Sequence, residues 1–286
     1  MTFSEIQQSA RATWERFRHP RGALILVGDV TCGRAAGSAE VITAIRSELR
    51  KIGKRARIAG VGCLGLCYAE PMIEVSLPGG PSVLYGDVTP AAAKRIVRSH
   101  IGNGKPRTDL ALAVMNGVPL DGVPKFGELP MLQGQVRIVT RNCGRIDPDK
   151  IEHYIANGGY EGLAKALAMS PEDVIAEVER SGLRGRGGVG FPTGRKWRFV
   201  NDAPGEPKYV IANAEEGEPG TFKVRMLVES DPHALIEGML IAGYAVGAQE
   251  GRIFVQTHYH RAAETLRTAV AQARELGLCG TDILGT

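Results

Sequence analysis

The sequence predicts an α/β protein of two units, and three observations carry that reading. Short apolar runs of strand length, at 23–27, 57–61, 209–213 and 252–256, alternate with longer stretches of helical periodicity. A passage rich in Gly, Pro and Asp-Gly at 103–134 interrupts the alternation, so the expected division is a domain at 1–102, a linker at 103–134 and a domain at 135–286. The length of 286 residues fits about two domains of the usual ~100–200 residues each. With 43% hydrophobic and 23% charged residues, the composition supports a sizeable core and argues against disorder or a coiled coil.

Charge and hydropathy exclude further classes. A formal charge of +4 with no dense Lys/Arg run leaves no footprint for nucleic acid. The first residues lack the basic flank and apolar core of a secretion signal. The most apolar stretch, 234–248, is too short for a membrane span and contains Glu237. The expectation is a cytoplasmic protein with no membrane span, docked at the periphery of a larger complex. Five cysteines without a signal peptide argue against a disulfide framework and for metal ligation or buried thiols.

In chain order, 3–18 has helical spacing and stops before His19-Pro20. A strand at 23–27, a helix at 38–51 stopped by Gly53, and a strand at 57–61 follow. The runs 72–77 and 82–85 flank Pro78-Gly-Gly-Pro81 and read as a hairpin, and Thr89-Pro90 opens a helix to about His100. A short strand is expected at 135–140, then helices at 147–157 and 160–169. Ser170-Pro171 starts another helix, which Gly182 stops. Strand 209–213, a helix from Asp231-Pro232 to Val246, strand 252–256 and a helix at 260–276 make a parallel β-α-β unit.

The cysteines fall into two groups. Cys32 follows the first strand, and Cys63-Leu-Gly-Leu-Cys67 follows the second. Loop thiols among glycines suit a thiolate-bound cluster with amides aimed at the sulfurs. Three readings stand: a cluster on Cys32, Cys63 and Cys67 with an unidentified fourth ligand, a domain that keeps the fold for docking without a cluster, or a Cys63–Cys67 redox pair. Cys143 is a lone thiol and reads as structural, and Cys279 has no partner motif.

Two dense runs carry the rest of the chemistry. Gly182-Leu-Arg-Gly-Arg-Gly-Gly-Val-Gly-Phe-Pro-Thr-Gly-Arg-Lys-Trp197 places six glycines between 182 and 194, interleaved with cationic side chains. Such a segment is a poor helix or strand interior, but it brings bare amides and positive charge against a phosphate. Asn213-Ala-Glu-Glu-Gly-Glu-Pro-Gly-Thr-Phe222 puts acids at the end of a strand, where open α/β sheets bind ligands. A cationic glycine loop with an acidic strand end suits a nucleotide or flavin.

At these residues the sequence resembles the flavoprotein subunit of respiratory complex I and the diaphorase subunits of NAD-linked hydrogenases and formate dehydrogenases. The family runs G-L-R-G-R-G-G-A-G-F-P-T-G-x-K-W and N-A-D-E-G-E-P-G-T-F-K-D-R are matched in order, with Val189, Glu215 and Val224 as departures. The region 1–102 resembles the thioredoxin-like two-iron ferredoxin that accompanies the same family, with Val27 where its first cysteine would stand. The architecture thus implied is a thioredoxin-like α/β domain followed by an incomplete Rossmann-like α/β flavin/NADH domain.

The resemblance implies FMN, NAD(H) and a 2Fe-2S cluster as cofactors, with the family's 4Fe-4S domain lying outside this sequence. It implies that Gly185, Arg186, Gly187, Gly188, Gly190 and Lys196 serve the flavin phosphate side, that Asn213, Glu215 and Glu216 hold its polar edges, and that Phe191 and Phe199 face the adenine of NADH. Glu218 matches the acid beside the nicotinamide, the one expected catalytic position. The implied activity is NADH:acceptor oxidoreduction, hydride to FMN and single electrons onward to iron-sulfur subunits of a larger assembly. The sequence stops where another strand is expected, which implies a fragment or a sheet completed by a separate polypeptide. The alternative reading is a non-catalytic docking module of an NADH-oxidising complex.

Overall fold

A computed structural model describes residues 2–285. It divides into two compact units, each discontinuous in sequence: one takes 12–153 and 229–231, the other 2–11, 154–228 and 232–285. The expected boundaries at 102 and 135 are therefore not those of the folded units.

In the first unit, β1 (Ala23–Gly28), a short α2 (Thr31–Ala35), α3 (Ser38–Lys51), β2 (Ala56–Val61), β3 (Ile73–Ser76), β4 (Ser82–Tyr85), α4 (Pro90–Ile96) and β5 (Ala111–Asn116) follow the end of α1 (Phe3–Arg18). The sheet order is β2-β1-β3-β4-β5, with β1 parallel to β2 and every other pairing antiparallel. That is the thioredoxin-like topology with one added edge strand. Every residue of β1 is buried, as expected of a central strand covered on both faces. One face packs Ile25, Val27, Val75 and Val83 with Val41 and Ile45 of α3 and Ile96 of α4; on the other, Leu24, Leu26 and Val61 meet Phe17. Thr89 caps α4 by accepting from Ala92 N at 3.2 Å, and Pro90 occupies its first turn, where a missing amide costs nothing.

Two expectations fail here for identifiable reasons. The segment 103–134 is not a plain linker: Ala111–Asn116 pairs with β4, and Leu129 and Leu132 are buried against Leu84 and Ala113. Glycine and proline signals on either side hid a short apolar run. The segment 135–140 is not a strand, although Val136 and Ile138 alternate with polar residues. It folds into turns, Ile138 N donating to Val136 O at 3.1 Å, and Val136, Ile138 and Val139 stay exposed. Alternation without an available sheet edge does not make a strand.

The second unit contains α5 (Ile151–Ala156) from Tyr154 onward, α6 (Glu161–Leu167), α7 (Pro171–Arg180), α8 (Thr193–Asp202), β6 (Tyr209–Ala214), α9 (Lys223–Ser230) up to Val228, α10 (Pro232–Val246), β7 (Glu250–Val255) and α11 (His260–Glu275). Strands β6 and β7 pair in parallel, connected through α10, which gives the expected Rossmann-like β-α-β unit. Val174 and Ile175 of α7, Trp197 of α8 and Ile241 and Ala245 of α10 form one core; Ala214, Ile253 and Val228 with Ala262 and Leu266 of α11 form another. The opposite face of the two strands is bare, with Tyr209, Ile211 and Phe254 exposed.

Glu237, the acid inside the most apolar stretch, is 8% exposed and fully engaged. Its carboxylate accepts from Tyr154 Oη at 2.5 Å, Tyr160 N at 2.8 Å and Leu163 N at 3.1 Å, tying α10 to the start of the unit. Among the described residues no helix is long and apolar enough to cross a membrane.

Candidate functional site

Each unit carries one site. In the second unit the glycine run forms a closed loop between α7 and α8. Ser170 caps α7 and Gly182 ends it with a φ of +66°, a value that favours glycine. Gly185 N donates to Phe191 O and Thr193 N to Leu183 O, both at 2.8 Å, while Arg184 Nε clasps Gly190 O at 2.6 Å. Arg184 is thus spent on the loop itself, whereas Arg186, Arg195 and Lys196 are exposed. Gly194 seats α8 on α7, since a Cβ there would lie 2.5 Å from Glu179 N.

The loop glycines have different reasons to be glycine. Gly188 and Gly190 adopt φ of +109° and +68°. Gly187 has no such conformation, and a Cβ on it would meet nothing within 4 Å. Neither backbone conformation nor packing in the fold requires glycine at 187. Beside the loop, Phe191 and Phe199 are 41% and 55% exposed, with ring centroids 6.3 Å apart, and Arg195 lies 5.4 Å over Phe199. Rings exposed to this degree are not part of the core.

The acidic run separates into different jobs. Asn213 Oδ1 accepts from Glu215 N at 3.1 Å, which turns the chain out of β6. Glu216 is 4% exposed and its carboxylate accepts from Val224 N at 2.9 Å and Arg225 N at 3.3 Å, capping α9, with Lys223 Nζ 3.5 Å away. Its oxygens are occupied by the scaffold. Glu218 is exposed, and among the described residues only its carbonyl is used, by Thr221. The two runs are carried by elements that pack on α10, α8 through Trp197 and β6 through Val210 beside Gly243. A cavity of about 680 Å³ in this unit lies between β7 and α11, lined by Phe254, His260 and Arg267 among others.

In the first unit, Cys32 on α2 and Cys63 and Cys67 beyond β2 come together, their sulfurs all within 4.8 Å of one another. Cys67 Sγ is 4.0 Å from Cys63 Sγ and 3.9 Å from Cys32 Sγ, so these are free thiols and not a disulfide. Gly65 N donates to Cys63 Sγ at 3.2 Å. Burial raises the Cys63 thiol well above its ordinary range, with that amide opposing and the neighbouring thiols and Glu70 adding to it. A metal reverses this balance by binding the thiolate directly.

Residues far along the sequence, which the sequence reading missed, brace these loops. Glu229 accepts from Thr31 N at 2.8 Å and Thr31 Oγ1 at 2.6 Å; Ser230 Oγ accepts from Cys63 N at 3.1 Å; Asp231 accepts from Asn142 Nδ2 at 2.8 Å. Ser230 fits because position 62 is glycine, where a Cβ would lie 2.3 Å from the serine side chain. In the sequence Ser230-Asp231-Pro232 reads only as a helix start. Glu70 also went unnoticed: it is 8% exposed, accepts from Met72 N at 2.9 Å, and burial pushes its carboxyl up to about 7. Cys143 is buried, its thiol raised to about 11 chiefly by burial.

Residues 178–283 match the family described as the Nuo51 FMN-binding domain. This segment is similar to that family. Beyond it, the chain is 51% identical over 152 residues to the NADP-reducing hydrogenase subunit HndC of Solidesulfovibrio fructosivorans, covering 53% of this chain and 31% of that one. It is 52% identical over 136 residues to an NADH-quinone oxidoreductase subunit of Aquifex aeolicus, covering 48% of this chain and 32% of that one. The chain thus spans about a third of the length of these curated relatives. Among solved structures, an NAD+-reducing [NiFe]-hydrogenase in the H2-reduced state overlaps 95% of this chain and 43% of its own, at 22% identity and a TM-score of 0.42. A thioredoxin-like [2Fe-2S] ferredoxin from Aquifex aeolicus overlaps 35% of this chain and 98% of its own, at 22% identity and a TM-score of 0.29. The glycine loop, the acidic strand end and the Phe191–Phe199 pair all lie within the Nuo51 segment.

Proposed function

We propose that the chain supplies the flavin loop and an iron-sulfur module of an NADH:acceptor oxidoreductase, passing electrons to iron-sulfur subunits of a larger assembly. The observation that carries this reading is Gly187, a glycine with neither a backbone nor a packing reason, in a cationic loop of the Nuo51 segment. The residues fit FMN: open space over the loop glycines for the phosphate, exposed Arg186 and Lys196 for its charge, and Asn213 and Glu215 at the strand end for polar ring edges. When bound, FMN accepts a hydride and gives up electrons one at a time.

The chain's own groups bind and orient. Exposed amides and cations hold the phosphate, and the paired rings of Phe191 and Phe199 offer a stacking face for adenine. Glu218, with its carboxylate uncommitted to the fold, positions the nicotinamide; no side chain need act as a base for hydride transfer. Glu216 serves indirectly, by holding α9 and with it the turn that presents Glu218. For the iron-sulfur module, Cys32, Cys63 and Cys67 supply three thiolates, with the Gly65 amide aimed at one sulfur as cluster sites require. A cytoplasmic location, with docking to a complex and no span of its own, is part of the same proposal.

The test is anaerobic titration of the chain, reconstituted with FMN, by NADH. Bleaching of the flavin absorption by about one NADH per flavin is the expected result for a two-electron hydride transfer. Failure to retain flavin, or retained flavin that NADH leaves oxidised, would overturn the catalytic part.

A further inference from the structure

Three thiols leave a two-iron cluster one protein ligand short, and the missing donor stands in the same loop. We propose that Glu70 is the fourth ligand, through Oε1. The proposal rests on the iron-sulfur reading of Cys32, Cys63 and Cys67.

Glu70 follows Cys67 by three positions, in Cys67-Tyr-Ala-Glu70. It is 8% exposed, and its Oε1 is buried with no hydrogen-bond partner among the described residues. A buried carboxylate oxygen without a donor is costly, and in native structures such a group is accounted for by water, an ion or a functional role. Oε2 is fixed by the amide of Met72 at 2.9 Å, the kind of supporting bond that metal-bound carboxylates usually have. The carboxylate reaches toward the loop of the other thiol. A Cβ built on Gly28 would lie 2.9 Å from Oε2 and 3.1 Å from Oε1, and one on Gly33, next to Cys32, 3.4 Å from Oε2. Glycine at 28 is what makes room for it.

The other donors nearby are committed. Val27, where the ferredoxin pattern has cysteine, is fully buried in the apolar core with Ile25 and Val75. Asp29 accepts from Ser38 Oγ through Oδ1 at 2.6 Å and from Arg34 through Oδ2 at 2.9 Å, and both oxygens of Glu229 accept from Thr31. Glu70 alone among these acids has an oxygen in hand. It is outside the group of sulfurs that lie within 4.8 Å of one another, so metal binding must draw carboxylate and thiols together.

The experiment uses the full chain, reconstituted anaerobically with ferrous iron and sulfide, as wild type, Glu70→Ala, Glu70→Gln and Glu70→Cys. Iron per chain, the EPR spectrum of the reduced protein and iron X-ray absorption are recorded, with circular dichroism as the check on folding. The wild type is expected to show an iron–oxygen shell beside the iron–sulfur shell. Glu70→Ala and Glu70→Gln should lower apparent iron affinity about tenfold or more, as loss of a ligand does at least as severely as loss of its support. Glu70→Cys should keep the cluster and lose the oxygen shell. A wild-type cluster with sulfur-only ligation, or Ala and Gln variants with unchanged iron content and EPR, would overturn the assignment while leaving the cluster intact. A wild type that takes up no iron would overturn the iron-sulfur reading itself, and this assignment with it. Should the variants not fold, the wild-type absorption edge still decides.

Discussion

Glu216 and Glu218 stand two positions apart, with one buried under the first turn of α9 and the other exposed at the turn before it. Replacing Glu216 by Ala removes the acceptor for two helix amides and should cost about 1 kcal/mol, or about 2–4 °C in Tm for a chain of this size. Replacing Glu218 by Gln should leave Tm in place and slow bleaching of bound flavin by NADH. Thermal melts and stopped-flow absorbance read the two effects separately; equal melting losses would remove the distinction. The sequence placed all three acids at one site because identical side chains in one run carry no label of burial. What distinguishes them is which oxygen the following helix claims, and that depends on where α9 begins. The glycine loop was legible as a loop because its closely spaced glycines make a poor helix or strand interior. Glu70 was not, since a lone acid before a proline looks like any loop residue until its burial is known.

At the scale of elements, the strands and helices with clear periodicity fall where the sequence put them: α1 at Phe3–Arg18 and α3 at Ser38–Lys51 match their expected ranges. The failures at 111–116 and 135–140 share a cause, because pairing partners decide whether an extended run becomes a strand and the run itself does not name them. The same holds for the tripeptide Glu229–Asp231, whose docking on the cysteine loops depends on the bare backbone at Gly62. Gly62→Ala should force Ser230 out of contact with Cys63 N, an overpacking cost of about 1–3 kcal/mol. The measurable results are a lower Tm and faster hydrogen exchange at the Cys63 amide. An unshifted Tm with unchanged exchange would mean that the tripeptide does not brace the loop.

Across the whole molecule, three buried histidines set the response to acid. His100, His153 and His233 are each held down to about 4, chiefly by burial; for His153 the cations Lys150, Arg57 and Arg18 add to it. His100 lies 3.0 Å from Tyr85 Oη, His153 Nδ1 accepts from Asp147 N at 3.2 Å, and His233 bridges Tyr160 Oη and Gln272. Between the ordinary histidine value of 6.5 and about 4 the unfolded chain binds protons that the native chain does not. Stability therefore falls as pH drops through that window, with the loss shared by both units, and is retained above it. Denaturant melts at pH 7 and pH 5 should show a lower midpoint at pH 5, and replacing His233 by Gln should flatten the dependence. The interleaved course of the chain also bears on how the protein is made. Gln7, which precedes the whole cysteine unit in the chain, binds Glu161 beyond it, and the cysteine unit lacks Glu229 and Ser230 until most of the chain exists. The cysteine unit cannot finish in the usual N-terminal-first order at residue 153, because its last three residues come only at 229–231, so a nascent chain holds its three thiols unbraced until late. Metal delivered before residue 231 is translated would meet a loop that has not yet been fastened.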